Sequence, residues 1–184
     1  MYNNYYWLWD DIVSAEMCKQ IIDSRNWENA TDAKVYTDEK NTTINKVTRR
    51  TEVLFESSFT PLGCILQTYA ALANKTAGWN FTIDFMEDIQ VGKYGVDGHY
   101  TWHTDTGVPN VAGVQRKLSI VLMLSDPDSY EGGVFEIEGL GEPLKKLKQG
   151  SIIAFPSTLK HRVTPVTSGD RYSVVGWCNG SAFK

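Results

Sequence analysis

Lys117-Leu-Ser-Ile-Val-Leu-Met-Leu124 decides the fold class. In an extended chain successive side chains leave opposite faces. Leu118, Ile120, Leu122 and Leu124 then share one face, while Val121 and Met123 make the other face apolar as well. A strand apolar on both sides is covered on both sides, here by a second sheet and by helices. Outward from it, residues 81–91 are rich in β-formers, and further strands are expected at 99–105, 133–138, 144–147, 151–155, 161–163 and 171–178, with 116–124 among them. Turn signals separate them: Asp97-Gly98, Asp126-Pro127-Asp128, Gly132-Gly133, the stretch from Gly139 to Pro143, Gln149-Gly150 and Ser168-Gly169-Asp170. Two helices precede. Ser14 is the expected N-cap of one, with Met17, Cys18, Ile21 and Ile22 on its apolar face and its end near Trp27. Thr60-Pro61 opens the other, in which Leu62, Ile65, Leu66, Tyr69, Leu72 and Ala73 recur at helical spacing. Between them, residues 29–50 are polar and read as a long loop with one edge strand. The expectation is a mostly β (α+β) chain, a double-sheet barrel of jelly-roll type with two or more supporting N-terminal helices outside it.

The 184 residues fit one domain, 1–184, and 42% apolar with 22% charged residues is too apolar for a disordered chain. No run of 18 apolar residues occurs, so no transmembrane helix and no membrane partner is expected. The start, Met1-Tyr-Asn-Asn-Tyr-Tyr-Trp-Leu-Trp-Asp10-Asp11, lacks the basic and apolar regions of a signal peptide. A net charge of −4 argues against nucleic acid as partner. Cys18, Cys64 and Cys178 are odd in number and far apart, which reads as reduced thiols in a cytoplasmic setting. The sequons at Asn29, Asn41, Asn74, Asn80 and Asn179 carry little weight without a secretory signal.

Chemistry concentrates around the three histidines, His99, His103 and His161. On a strand, His103 and Asp105 leave the same face with Cα atoms roughly 6.5 Å apart. Both could reach one metal ion, with His161 as third ligand from a short strand after Pro156-Ser157. Two histidines and one carboxylate leave the opposite positions of a metal open, as in non-haem Fe(II) oxygenases. Arg171 opens a later strand whose parity puts Arg171, Ser173, Val175 and Trp177 on one face. Inside a barrel its guanidinium would need a carboxylate, and a dicarboxylate cosubstrate would supply one. Each element also has a plainer reading. His103-Thr-Asp105 alone reads first as a chance occurrence or a surface hydrogen-bonded pair, and a lone strand arginine as a solvated edge or a structural ion pair. His99 and His103 have the spacing of a helical zinc pair, but Gly95, Asp97-Gly98 and the β-forming neighbours oppose a helix, which leaves His99 a loop or solvent-facing residue. Lys145, Lys146 and Lys148 alternate with Leu144 and Leu147 as the wet face of an edge strand, and Arg49-Arg50 could contact substrate from the loop but reads first as a solvated pair.

The conjunction of these elements, in this order within a β stretch, resembles the prolyl 4-hydroxylase superfamily of Fe(II)/2-oxoglutarate dioxygenases, in particular its small PKHD-type members. The matching stretches are Tyr94 through Tyr100-Thr-Trp-His103-Thr-Asp105, then Arg116-Lys-Leu-Ser119 with Leu124-Ser-Asp-Pro-Asp-Ser-Tyr-Glu-Gly-Gly133, then Phe155-Pro-Ser through Pro165-Val-Thr and Gly169-Asp-Arg171, closing on Trp177. The resemblance implies a double-stranded β-helix catalytic core over 80–180, with helical support and a substrate loop in 1–79. It implies that His103, Asp105 and His161 hold Fe(II), that Arg171 binds the distal carboxylate of 2-oxoglutarate, and that Tyr94 and Trp177 line the cosubstrate pocket with Tyr100 beside the substrate. O₂ and ascorbate complete the implied cofactors. Met123 stands where oxygen-sensing members carry a tyrosine, and Arg171 where collagen-type members carry lysine. Retention of Asp105 opposes halogenation. The implied reaction is C–H hydroxylation, of proline in a peptide or protein first, with segments 29–50 and 106–115 to hold it. A free amino acid or small metabolite is the alternative substrate, a non-catalytic 2-oxoglutarate or iron sensor the alternative from another class, and nucleic-acid demethylation is opposed by the acidic charge.

Overall fold

In the computed structural model, which describes residues 4–36, 42–107, 113–140, 144 and 146–182, the 117–124 run falls within a ten-residue strand, Val114–Met123. With strands numbered in chain order, the major sheet runs β1 (Trp7–Trp9), β13 (Ile152–Pro156), β10 (Val114–Met123), β16 (Arg171–Ser181), β8 (Ile89–Tyr94), β6 (Glu52–Glu56) and β2 (Thr31–Asp32), with β7 (Phe85–Met86) also paired to β16. The minor sheet runs β12 (Phe135–Ile137), β14 (His161–Val163), β9 (His99–His103) and β5 (Arg49–Arg50). Two ribbons, β3 (Val35–Tyr36) with β4 (Thr42–Thr43) and β11 (Glu131–Gly132) with β15 (Val166–Ser168), complete the β structure. All these pairings are antiparallel.

The alternation read from 117–124 holds. Leu118, Ile120, Leu122 and Leu124 pack with Leu66, Ala70 and Ala73 of α2 (Pro61–Thr76) in one core. Val121 and Met123 face the minor sheet and pack with Phe135, Ile137, Phe155 and Val163 in a second core. The helices therefore lie outside a double-sheet sandwich, the jelly-roll arrangement expected, and the space between the sheets is where inward polar side chains must meet one another. Both caps are as read: Ser14 Oγ accepts from Met17 N at 3.2 Å, and Thr60 Oγ1 from Gly63 N at 3.2 Å.

Several boundaries differ. α1 (Ala15–Asp23) stops short of Trp27. Asn26 takes the chain out of the helix by accepting from Glu28 N, and Trp27 folds back to donate to Ile22 O and pack on Tyr172 at 5.2 Å. The 29–50 segment is not a loop with one strand: it carries β2, β3, β4 and β5, each only two residues long and so without a readable period. β1 and β6 were not expected. Residues 144, 146 and 147 form no strand. Lys146 is not on a wet face, because its Nζ donates to Pro127 O and Tyr130 O and sits 4.4 Å from the Tyr130 ring centre. Residues 37–41 of the presumed substrate segment, 108–112 of the 106–115 loop, most of the turn up to Pro143, Lys145, and the start of the chain through Asn3 lie outside the described residues. Among the described residues no helix is long and apolar enough to cross a membrane, and the three cysteines are free thiols.

Candidate metal and cosubstrate site

β9 and β14 are neighbours in the minor sheet, and their register sets His103 directly against His161. Antiparallel pairing thus brings together two residues far apart in sequence, with ring centres 4.2 Å apart. Asp105 lies past the end of β9 rather than on it. A bend carries it back toward the histidines, fixed by Asp105 N and Thr106 N donating to Ser157 O at 3.0 Å each. The result is compact. Asp105 Oδ1 is 3.6 Å from His103 Nε2, Oδ2 is 3.5 Å from His161 Nε2, and one ligand atom from each residue lies within 4.8 Å of the others.

The donor chemistry fits a metal ion. His103 Nδ1 lies 2.7 Å from Thr101 O and His161 Nδ1 lies 2.9 Å from Leu159 O. A carbonyl only accepts, so each Nδ1 carries a proton and each ring turns its Nε2, the atom left to bind a metal, toward Asp105. Burial pushes the His161 pKa down, outweighing the pull of Asp105. Burial opposes ionisation of Asp105, yet His161, His103 and Arg116 together hold its carboxyl well below the usual carboxylate range. Two imidazoles and one carboxylate, packed against Phe155 at 4.7 Å and Phe135 at 5.6 Å from His161, are a ligand set for a divalent first-row metal.

Arg171 begins β16 in the major sheet, paired in register with Tyr94 of β8. It is 1% exposed, the largest of the fully buried side chains. Its Nη1 donates to Ser173 Oγ at 3.2 Å, its Nη2 approaches the sulfur of Met123 at 3.6 Å, and its Nε has no partner. Among the described residues no carboxylate pairs with it. A thioether is a weak acceptor, so this guanidinium is matched to an anion that enters from outside. Gly133 makes room for it: at φ +57, a Cβ there would stand 2.9 Å from Arg171 Cδ.

The other residues read from sequence line the same space. Tyr94, 5.2 Å from Arg171 Cζ to its ring centre, and Trp177, Val175 and Ser173 wall an inner pocket that also contains His103, Asp105, His161 and Arg171. Tyr100 stacks on His103 with ring centres 3.4 Å apart, and burial pushes its phenol up to about 12. The inner pocket opens to a groove of about 670 Å³, bounded by β2, β3, β4 and β5 as well as Gln90, Glu87 and Arg116. Arg116 donates twice to Glu87 and lies 4.0 Å over the Trp177 ring.

Three residues were missed or misread. Arg49 and Arg50 are not alike. Arg50 is exposed and pairs with Asp97 at 3.3 Å, but Arg49 is 8% exposed, its Nε is unpartnered, and it covers the Tyr100 ring at 4.7 Å on the groove wall. Its signal would have been the pairing of β5 with β9, which two residues cannot announce. His99 is not a free loop residue: it starts β9, and its ring nitrogens lie 2.7 Å from Asp97 O and 3.0 Å from Val47 O. Ser119, on the inner face of β10, donates to Asp105 Oδ2 at 2.6 Å.

Comparison with known proteins gives the same picture. A PKHD-type hydroxylase of Synechococcus sp. (strain CC9605) is 42% identical over 94 residues, which is 50% of this chain and 41% of that protein, so the chain spans about four-tenths of the length of this curated relative. The viral collagen prolyl hydroxylase of Paramecium Bursaria Chlorella virus-1, solved with 2OG, superposes over 97% of both chains with a TM-score of 0.72 and 20% identity. A prolyl hydroxylase from Trichoplax adhaerens, solved with a hypoxia inducible factor peptide fragment, covers 96% of this chain and 84% of its own with a TM-score of 0.66 and 15% identity. These structures share the fold. The sequence profile of the 2OG-Fe(II) oxygenase superfamily matches residues 89–179, the stretch from β8 to β16 that contains the histidine pair, Asp105 and Arg171, and the chain belongs to that superfamily.

Proposed function

We propose that this chain is an Fe(II)- and 2-oxoglutarate-dependent hydroxylase of proline in a peptide or protein. The observation that carries the reading is the pairing of a triad of two imidazoles and one carboxylate with a buried, carboxylate-free Arg171 across the gap between the sheets. His103, Asp105 and His161 would hold Fe(II), and Arg171 with Ser173 would take the distal carboxylate of 2-oxoglutarate. Bound together, iron and 2-oxoglutarate supply the O₂ activation that hydroxylates a C–H bond, with ascorbate as accessory reductant. The chain's own part is placement. The backbone carbonyls of Thr101 and Leu159 orient the two imidazoles. Phe135, Phe155 and Val163 keep water from the inner pocket, and Tyr94 and Trp177 wall the cosubstrate. No side chain is needed as a general base, because the bond to be broken is C–H.

A peptide substrate is supported by the open groove and its walls of short strands, with Tyr100 at its floor beside His103. The relative named for its hydroxylase activity and the neighbour solved with a peptide point the same way. A second reading, hydroxylation of a free amino acid, is favoured by Arg49, whose unpaired guanidinium would meet a carboxylate at one wall of the groove. Incubation with Fe(II), 2-oxoglutarate and air, using proline-containing peptides beside free proline, decides between them. O₂-dependent succinate with a product heavier by one oxygen is expected from the peptides. The same product from proline alone would move the substrate to the amino acid. Metal and 2-oxoglutarate binding without turnover would identify a sensor.

A further inference from the structure

Asp105 is tied in a way that neither histidine is. Its backbone is held by Ser157 O, as described, and its Oδ2 accepts from Ser119 Oγ, which in turn lies 2.9 Å from Ser157 Oγ. Both serine side chains are wholly buried. Ser119 sits on β10 with Phe155 and Trp177 as its cross-strand neighbours, and Ser157 follows β13 with its amide on Lys117 O at 3.0 Å. A carboxylate accepts only, and a hydroxyl has one proton. The directions are therefore set: Ser157 donates to Ser119, and Ser119 donates to Asp105 Oδ2. The same Ser157 begins the turn that leads to His161, whose Nδ1 is held by Leu159 O. One buried pair of hydroxyls thus joins the bend that carries Asp105 to the segment that carries His161.

Resting on the metal-site reading above, we propose that Ser119 and Ser157 are positioning residues that commit Asp105 Oδ2, so that Asp105 meets the metal through one oxygen only. The consequence is chemical. Three single-atom ligands leave three positions of a roughly octahedral metal open, enough for a bidentate cosubstrate and O₂, whereas a carboxylate binding through both oxygens would close one of them. The hydroxyl pair does this without adding a ligand of its own, in the manner of partners that orient metal-bound groups from behind.

The test uses Mn(II) as probe on the whole chain, and reads water-proton relaxation, which counts the waters on the bound metal. Wild type and Ser119→Thr, which keeps the hydroxyl, are expected to give the same relaxivity per bound Mn(II). Ser119→Ala is expected to fall by about one third, as freed Oδ2 replaces one of three waters. Circular dichroism and melting of the metal-free proteins establish that each variant is folded. If Ser119→Ala does not fold, Ser119→Cys, in which a weak S–H donor of similar size replaces the hydroxyl, takes its place with the same two outcomes. A relaxivity equal to wild type overturns the proposal while leaving the metal site standing. Wild-type binding that is absent, or that survives His161→Ala, overturns the metal-site reading and the proposal with it.

Discussion

Arg171 and Arg49 are guanidiniums buried without a carboxylate among the described residues. Removing a charge from water without a partner is costly, and replacing it by an apolar side chain of similar length is often neutral or stabilising. Arg171→Met should therefore abolish 2-oxoglutarate binding in a calorimetric titration while raising metal-free stability by about 1 kcal/mol, roughly 3 °C in melting temperature. Arg49→Met should raise stability similarly and leave 2-oxoglutarate binding intact. A lower melting temperature in either variant would make that arginine structural. Cys178 gives a pH dependence. Burial, with the charge of Glu87 added, pushes its thiol from 9.0 up to about 12. Below pH 9 the thiol is protonated folded or unfolded. As pH rises from 9 toward 12 only the unfolded chain ionises, so stability should fall by about 1 kcal/mol per pH unit. Urea titrations of Cys178→Ala should show a shallower decline over that range. Arg171 was legible because strand parity places it inward. Arg49 was not, since nothing local distinguishes it from Arg50; only the pairing with β9, set by distant sequence, turns one inward and the other to Asp97.

Elements closed by local chemistry were the legible ones. Thr60-Pro61 and Ser14 cap helices by hydrogen bonds within four residues, so their signals lie side by side in sequence. Elements closed by tertiary contact were not. β6 has no clean alternation and exists because β8 offers it an edge. The alternating stretch 144–147 mimics a strand, yet the ammonium of Lys146 is drawn to the carbonyls at the end of the 127–130 turn. Asp105 was placed on the strand and lies just beyond it, which leaves its nearness to His103 intact because Ser157 O returns the chain. One turn ties the N-terminal segment to the sheet. Gly150 has φ +75, its carbonyl accepts from Ile12 N and Val13 N, and a Cβ there would stand 1.8 Å from Val13 O. Both the backbone conformation and the contact exclude a side chain. Gly150→Ala should cost about 3 kcal/mol in urea unfolding. A loss under about 1 kcal/mol would mean that the segment can swing away at little cost.

Across the whole molecule, the site is divided between sheets: the histidine pair lies in the minor sheet and Arg171 in the major one. A metal held by the triad and an anion held by Arg171 would bind only the folded chain and stitch the sheets together. At a hundredfold excess over its dissociation constant, a ligand specific to the folded state adds about 2.7 kcal/mol. Mn(II) with 2-oxoglutarate should accordingly raise the melting temperature by several degrees, and His161→Ala should lose the metal-dependent part of that rise.

The order of the major sheet has a further consequence. Its middle position, between β10 and β8, belongs to β16, the last strand in chain order. While the polypeptide is being synthesised, β10 and β8 emerge first, with facing edges that have no partner until residues 171–181 arrive. From the completion of β10 until β16 is made, the nascent chain therefore carries two unpaired, largely apolar edges. A ribosome stalled before Arg171 should present a protease-sensitive, chaperone-binding intermediate, and one stalled far enough beyond Ser181 for that strand to clear the exit should present a protected one.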